Sequence, residues 1–165
     1  MRPNAYHTLG LTLLLLIGCD DALAQPAAEG VPGAAATNSV ALAEANLTAA
    51  RKRFATETTN SVAAWQLGRA CFTWGKSLKD PNAQEKIYEE GVAACRRSLS
   101  LDPKSGPAHY YLGMNIGRVA DLKRNLAAFV LVKEVERVFL QAAKLDENYA
   151  YGGPDRNLGL LYWHA

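Results

Sequence analysis

The sequence predicts an all-α fold, an α-solenoid of stacked helix pairs, and three observations carry that expectation. Leu-Gly occurs at Leu67-Gly68, Leu112-Gly113 and Leu158-Gly159, spaced 45 and 46 residues apart. Leu-Asp recurs at Leu101-Asp102 and Leu145-Asp146, 44 apart, each closing an apolar pattern of helical period. Two markers in fixed order at one period indicate repeated units, none of which can bury its apolar face alone. Alanine and leucine are also abundant and β-branched runs few, which favours helix over strand.

A chain of 165 residues with 49% hydrophobic content accommodates one domain with a sizeable core. Its net charge of +2 argues for no nucleic-acid partner. Residues 1–18 read as a signal peptide. Arg2 opens a weakly basic start, and the apolar stretch Leu9 to Ile17 is too short to span a bilayer, which needs roughly 20 residues. Leu16-Ile17-Gly18-Cys19 resembles the bacterial lipobox, which implies lipidation of Cys19 and a protein held by a lipid anchor on the periplasmic side of a membrane. Ala22-Leu23-Ala24 before Gln25 is a competing cleavage site that would leave a soluble periplasmic protein; both readings export the chain. Residues 19–37 carry two prolines in QPAAEGVPGAAAT and almost no large apolar side chain, the composition of a flexible tether.

The folded domain is expected over 38–165. Asn38 or Ser39 caps a first helix carrying Leu47, Ala50 and Phe54, with Arg51-Lys52-Arg53 on its wet side. Thr56-Glu57-Thr58-Thr59-Asn60 is a loop. A second helix runs from near Ser61 to about Lys76, and Asp80-Pro81-Asn82 breaks the chain. A third, from about Ala83 to Leu101, ends where Pro103 cannot continue it and biases Asp102 towards extended geometry. Ser105-Gly106-Pro107 caps a fourth helix to about Val119; Asp121 to Leu145 forms one helix or two; and a last helix begins at about Asp155.

Ala63-Ala64-Trp65-Gln66-Leu67-Gly68-Arg69-Ala70, then Tyr88-Glu89-Glu90-Gly91 and Ser98-Leu99-Ser100-Leu101-Asp102-Pro103, resembles a tetratricopeptide repeat. The usual period is about 34 residues, so the surplus is expected in long inner connections at 77–87 and 120–131. Tyr151-Gly152-Gly153-Pro154-Asp155-Arg156-Asn157-Leu158-Gly159 is similar to a stretch of the periplasmic T component, a lipoprotein associated with tripartite TRAP-type transporters. That resemblance implies a ligand-accessible cavity and a periplasmic solute-binding protein as partner. Locally, Gly152-Gly153 permits a turn with positive φ and Pro154 suits a first helical turn, with no ligand required.

The repeat geometry places Trp65, Arg69 and Phe72, then Tyr110, Met114 and Arg118, then Arg156, Leu160 and Trp163 on one concave wall. Aromatic side chains with a few arginines there suit an apolar or anionic small ligand or a protein's carboxylates; core packing is the competing role for each. Cys71 and Cys95 fall at facing positions of paired helices, where two buried thiols or a disulfide both fit. The histidines are scattered, Glu89-Glu90 and Glu134/Glu136 read as solvated faces, and no metal, nucleotide or nucleophile motif occurs, so neither cofactor nor enzymatic activity is expected. Trp163-His164-Ala165 closes the chain inside a first helix without its second. A fragment, a partner or another copy of the chain would each account for that, the last making a homo-oligomer. The expected protein is a binding or adaptor module, an accessory of a solute-binding transport system; a scaffold for envelope assemblies without a small-molecule site is the alternative.

Overall fold

The computed structural model describes the backbone of residues 32–123 and 126–164, and side chains over 38–123 and 128–163. The signal peptide, Cys19 and the cleavage site before Gln25 lie outside the described residues. Within them the protein is all-α: α1 (Pro32–Thr56), α2 (Ser61–Gly75), α3 (Pro81–Leu101), α4 (Gly106–Lys123), α5 (Leu126–Leu145) and α6 (Gly153–His164).

Helix boundaries follow from side chains that satisfy the first backbone N–H groups. The Asn60 side chain accepts from Val62 and Ala63 at the start of α2, and that of Asp80 accepts from Asn82 and Ala83 at the start of α3. Pro81 fills the first turn of α3, where its missing N–H costs nothing. Ser105 Oγ accepts from Ala108 N at 3.3 Å to open α4.

Two expectations need correction. First, α1 begins at Pro32, inside the stretch expected to be tether: proline at an N-terminus and Ala34-Ala35-Ala36 behind it are strong helix-forming choices. Second, the residues beyond the shorter period are helical. The connection before α3 is short, α4 continues to Lys123, and α5 is a single helix from Leu126, so the expected loops at 77–87 and 120–131 are largely helix.

Each helix packs against its neighbours in sequence, and α2 also touches α4. α3 lies between α2 and α4, and α5 between α4 and α6. A large core runs through Phe72, Tyr88, Tyr110, Tyr111, Ile116, Val138, Phe139 and Leu158, and a smaller one joins Leu47, Leu67, Cys71 and Ala94 across α1, α2 and α3. Two Leu-Gly markers sit where helices approach most closely. A Cβ on Gly68 would collide with Cys95 Sγ and lie 3.2 Å from the Gly91 carbonyl oxygen. A Cβ on Gly113 would lie 2.8 Å from the Phe139 ring. The third, Gly159, has nothing within 4 Å.

Candidate functional site

The residues expected on one wall are divided between core and surface. Phe72, Tyr110 and Met114 are buried. Trp65 lies flat on Tyr111, ring centroids 6.0 Å apart, and Tyr110 packs edge-on against Tyr111 and Tyr149. These rings give the core its shape by offset and edge contacts. Arg118 Nε is 3.4 Å from the Tyr88 hydroxyl, its guanidinium lies over the Tyr88 ring, and Nη1 is 3.7 Å from the buried Asp121 carboxylate. It braces α3 against α4. Burial raises the Tyr88 hydroxyl pKa, and Arg118 partly opposes that rise.

Arg156 is also committed locally, donating to the carbonyls of Tyr151 at 3.0 Å and Ala150 at 3.4 Å. Ala150, Tyr151 and Gly152 all adopt left-handed backbone, with φ of 51°, 57° and 71°. Two of the three carry a Cβ, a conformation that costs energy and needs support from its surroundings; the Arg156 fork supplies it. Gly153 is required for another reason, since a Cβ there would lie 2.9 Å from the Tyr110 ring. Arg69 is exposed on α2, Leu160 is half-buried, and Trp163 is 84% exposed at the end of α6. Cys71 and Cys95 are free, buried thiols. Burial pushes Cys71 up to about 12 and raises Cys95 further, so neither is a reactive thiolate. Among the described residues no cluster of metal-ligating side chains occurs, and no helix is long and apolar enough to cross a membrane.

A different arrangement appears along α1, α3 and α5. Arg51 on α1 makes a two-pronged ion pair with Glu90 on α3, with Nε 2.7 Å from Oε1. Arg96 on α3 pairs with Glu134 on α5 at 3.0 Å. The arginines are 45 residues apart and the glutamates 44, so one bridge is repeated in the register of the Leu-Gly markers. Arg51 and Glu90 line one open groove, and Arg96 lines a second. The first, about 250 Å³, is floored by Phe54, Leu67 and Ala94. The second, about 290 Å³, is floored by Val92, Ile116, Val119 and Leu131. Ala93 lines both, so the grooves share a wall. Lys123, paired with Glu85 at 3.0 Å and Glu89 at 3.3 Å, stands at the far rim of the second groove. Bonds to these two carboxylates raise the Lys123 pKa, and the bond to Glu90 raises that of Arg51, so both rims stay charged.

The Arg51/Arg96 and Glu90/Glu134 spacings were visible in the sequence, but each half is an ordinary charged residue on a wet helix face. Only the packing of α1, α3 and α5 pairs them across repeats.

Fold and grooves together define an all-α helical-repeat protein with apolar clefts between successive repeats. More narrowly, the chain belongs to the family described as regulator of microtubule dynamics protein 1-3, whose model matches residues 30–152. That assignment corrects both resemblances drawn from short motifs, to the tetratricopeptide repeat and to the T component. Gly68 and Gly113 are what closely packed helix pairs select in any protein, and Gly-Gly-Pro-x-Arg is accounted for by the left-handed turn, the Tyr110 ring and the Arg156 fork. No curated protein matches the chain.

Proposed function

We propose that the chain is an exported, lipid-anchored adaptor that holds a segment of a protein partner in the two consecutive grooves along α1, α3 and α5. One observation carries this reading: an Arg–Glu bridge recurs one repeat apart, Arg51 and Glu90 lining one apolar groove and Arg96 the next, with Ala93 as the common wall. A segment crossing successive repeats would meet apolar floor, paired charge and apolar floor again. Side chains of either sign could exchange with the bridges, since exposed pairs of this kind are worth only about 0.2–1 kcal/mol. Open grooves suit a scaffold for protein assemblies better than a small-molecule carrier, which needs a more enclosed site. The family's description, regulator of microtubule dynamics, also makes a protein the first partner to seek. Anchorage rests on Leu16-Ile17-Gly18-Cys19 and places the adaptor at a membrane surface.

The test is site-specific photo-crosslinking in cells, with the probe at Ala93 and a control at Glu147, which is exposed in the α5–α6 turn. A discrete partner band at 93 and none at 147 is expected, and Ala93→Arg should remove co-isolation of that partner. Equal labelling at both positions, or none at 93, would overturn the groove assignment. Fractionation of Cys19→Ser checks the anchor separately: the variant should leave the membrane fraction, and a wild-type protein already soluble and beginning at Gln25 would refute it.

A further inference from the structure

Two sides of α5 differ in a way that the repeat does not require. Val135, Val138, Phe139 and Ala142 are buried in the core. The described residues of α5 that are exposed are Phe129, Val130, Lys133, Arg137, Leu140 and Lys144. At 3.6 residues per turn these six fall within about 100° of the helix circumference, opposite the core face. Each is a large apolar residue or a cation, and none is acidic. Phe129, Val130 and Leu140 are 58%, 71% and 50% exposed. Shifted by the 44 residues that relate Glu134 to Glu90, the same positions on α3 hold Glu85, Lys86, Glu89, Ala93, Arg96 and Ser100, with no large apolar side chain. The apolar residues on α5 are therefore no by-product of the repeat. We infer that this outer face of α5 is a docking surface for an anionic phospholipid bilayer.

Charge decides the occupant. The two acids of α5 stand at the edges of the stripe and are already engaged: Glu134 accepts from Arg96 at 3.0 Å, and Glu136 accepts from the Tyr162 hydroxyl at 2.7 Å. Lys133 and Lys144 make no ion pair among the described residues. Arg137 lies 3.9 Å from the Glu134 carboxylate that Arg96 also holds, and its side chain remains 68% exposed. Phosphodiester headgroups supply the counter-charge that this face lacks. Val130 and Lys144 stand about 21 Å apart along the helix axis, with basic and apolar side chains interleaved between them. Such a helix lies flat on a bilayer. Phe129, Val130 and Leu140 enter the acyl boundary, and the long stems of Lys133, Arg137 and Lys144 carry their charges back to the phosphates. The opposite side of α5 packs on α4, so docking leaves that core contact intact and holds α4 away from the bilayer. None of the six lines the groove between α3 and α5, to which α5 contributes Leu131. The surface is thus separate from the grooves, and it does not depend on lipidation of Cys19.

The test uses the full chain with Cys19→Ser, which keeps a lipid anchor out of the measurement, and an environment-sensitive fluorophore on a single introduced cysteine. Val130→Cys and Leu140→Cys place it on the stripe, and Glu147→Cys places it in the exposed α5–α6 turn as a control. Cys71 and Cys95 are buried and do not compete for the label. Vesicles of phosphatidylcholine containing phosphatidylglycerol should shift emission to the blue at 130 and 140 and leave 147 unchanged. Vesicles of phosphatidylcholine alone should shift none of the three. Combining Lys133→Gln with Lys144→Gln should raise the lipid concentration at half-maximal shift about 25-fold, from about fivefold for each cation near an anionic surface. Melting temperatures of the labelled chains, with and without these changes, establish that they are folded, and the two stripe positions check each other. The inference is overturned if neither stripe position responds to anionic vesicles, if neutral vesicles act equally, if 147 shifts alike, or if folded protein without the two lysines responds as before. A photo-crosslinker at Val130 in cells that yields a discrete protein adduct would also overturn it and assign the face to that protein.

Discussion

Alanine at Gly113 would place a methyl group 2.8–3.0 Å from three atoms of the Phe139 ring, against an ordinary carbon–carbon separation of roughly 3.5–4 Å. Phe139 is 1% exposed, so its ring has no solvent to move into and must push on Tyr110, 5.9 Å away by ring centroids. Overpacking of this kind costs about 1–3 kcal/mol. Alanine also gains about 1 kcal/mol over glycine in a helix interior, so the net loss at Gly113 should be about 0–2 kcal/mol. At Gly159 the methyl meets nothing, and only the propensity gain remains. The difference between Gly113→Ala and Gly159→Ala therefore isolates packing, and should be about 1–3 kcal/mol. Urea and thermal unfolding followed by circular dichroism would measure it, with about 2–4 °C in melting temperature for each kcal/mol. Gly68→Ala should be at least as damaging as Gly113→Ala, because the Gly91 backbone carbonyl stands 3.2 Å from the added methyl and cannot rotate away. Phe139→Leu should relieve Gly113→Ala in a double-mutant cycle. Three equal shifts, or no coupling between positions 113 and 139, would refute the close-packing account of the Leu-Gly markers.

Asn115 is fully buried and donates to the carbonyls of Gly68 at 3.0 Å and Tyr111 at 2.8 Å, tying α4 to α2; Asn115→Leu should cost about 2–3 kcal/mol in urea unfolding, since it leaves the Gly68 carbonyl without this donor. Cys71 and Cys95 should resist alkylation near pH 8 until the chain unfolds, with labelling that tracks the unfolded fraction across a urea series; prompt labelling of native protein would contradict their burial. Burial lowers the His109 pKa below its ordinary 6.5, so the fold prefers the neutral ring, and this part of stability is full above pH 6.5 and lost progressively as pH falls below it. Melting temperatures taken downward from about pH 7.5 to 5 should fall more steeply for wild type than for His109→Gln, whose amide can still donate to the Pro103 carbonyl that His109 Nε2 approaches at 3.1 Å.

Class, repeat and helix order follow from the sequence by itself. The Leu-Gly and Leu-Asp markers, with the break at Asp80-Pro81-Asn82 and the cap at Ser105, are local signals whose physics is complete within a few residues; the structure adds that Asn60 and Asp80 cap α2 and α3. The same local character misled the finer assignment. Gly152-Gly153-Pro154 with Arg156 and the Trp-Gln-Leu-Gly stretch resembled motifs of other families because turns and helix contacts select such residues in any protein that contains them. Which faces meet was decided only by tertiary packing. A helix of 3.6 residues per turn presents several apolar faces, and neighbours choose among them: Trp65 and Tyr110 went to the core, whereas Trp163 is 84% exposed. Arginine carries the same charge wherever it stands. Arg118 became a brace, Arg156 a staple for a left-handed turn, and Arg51 and Arg96 the rims of the grooves only once partners separated by up to 39 residues were brought within hydrogen-bonding distance.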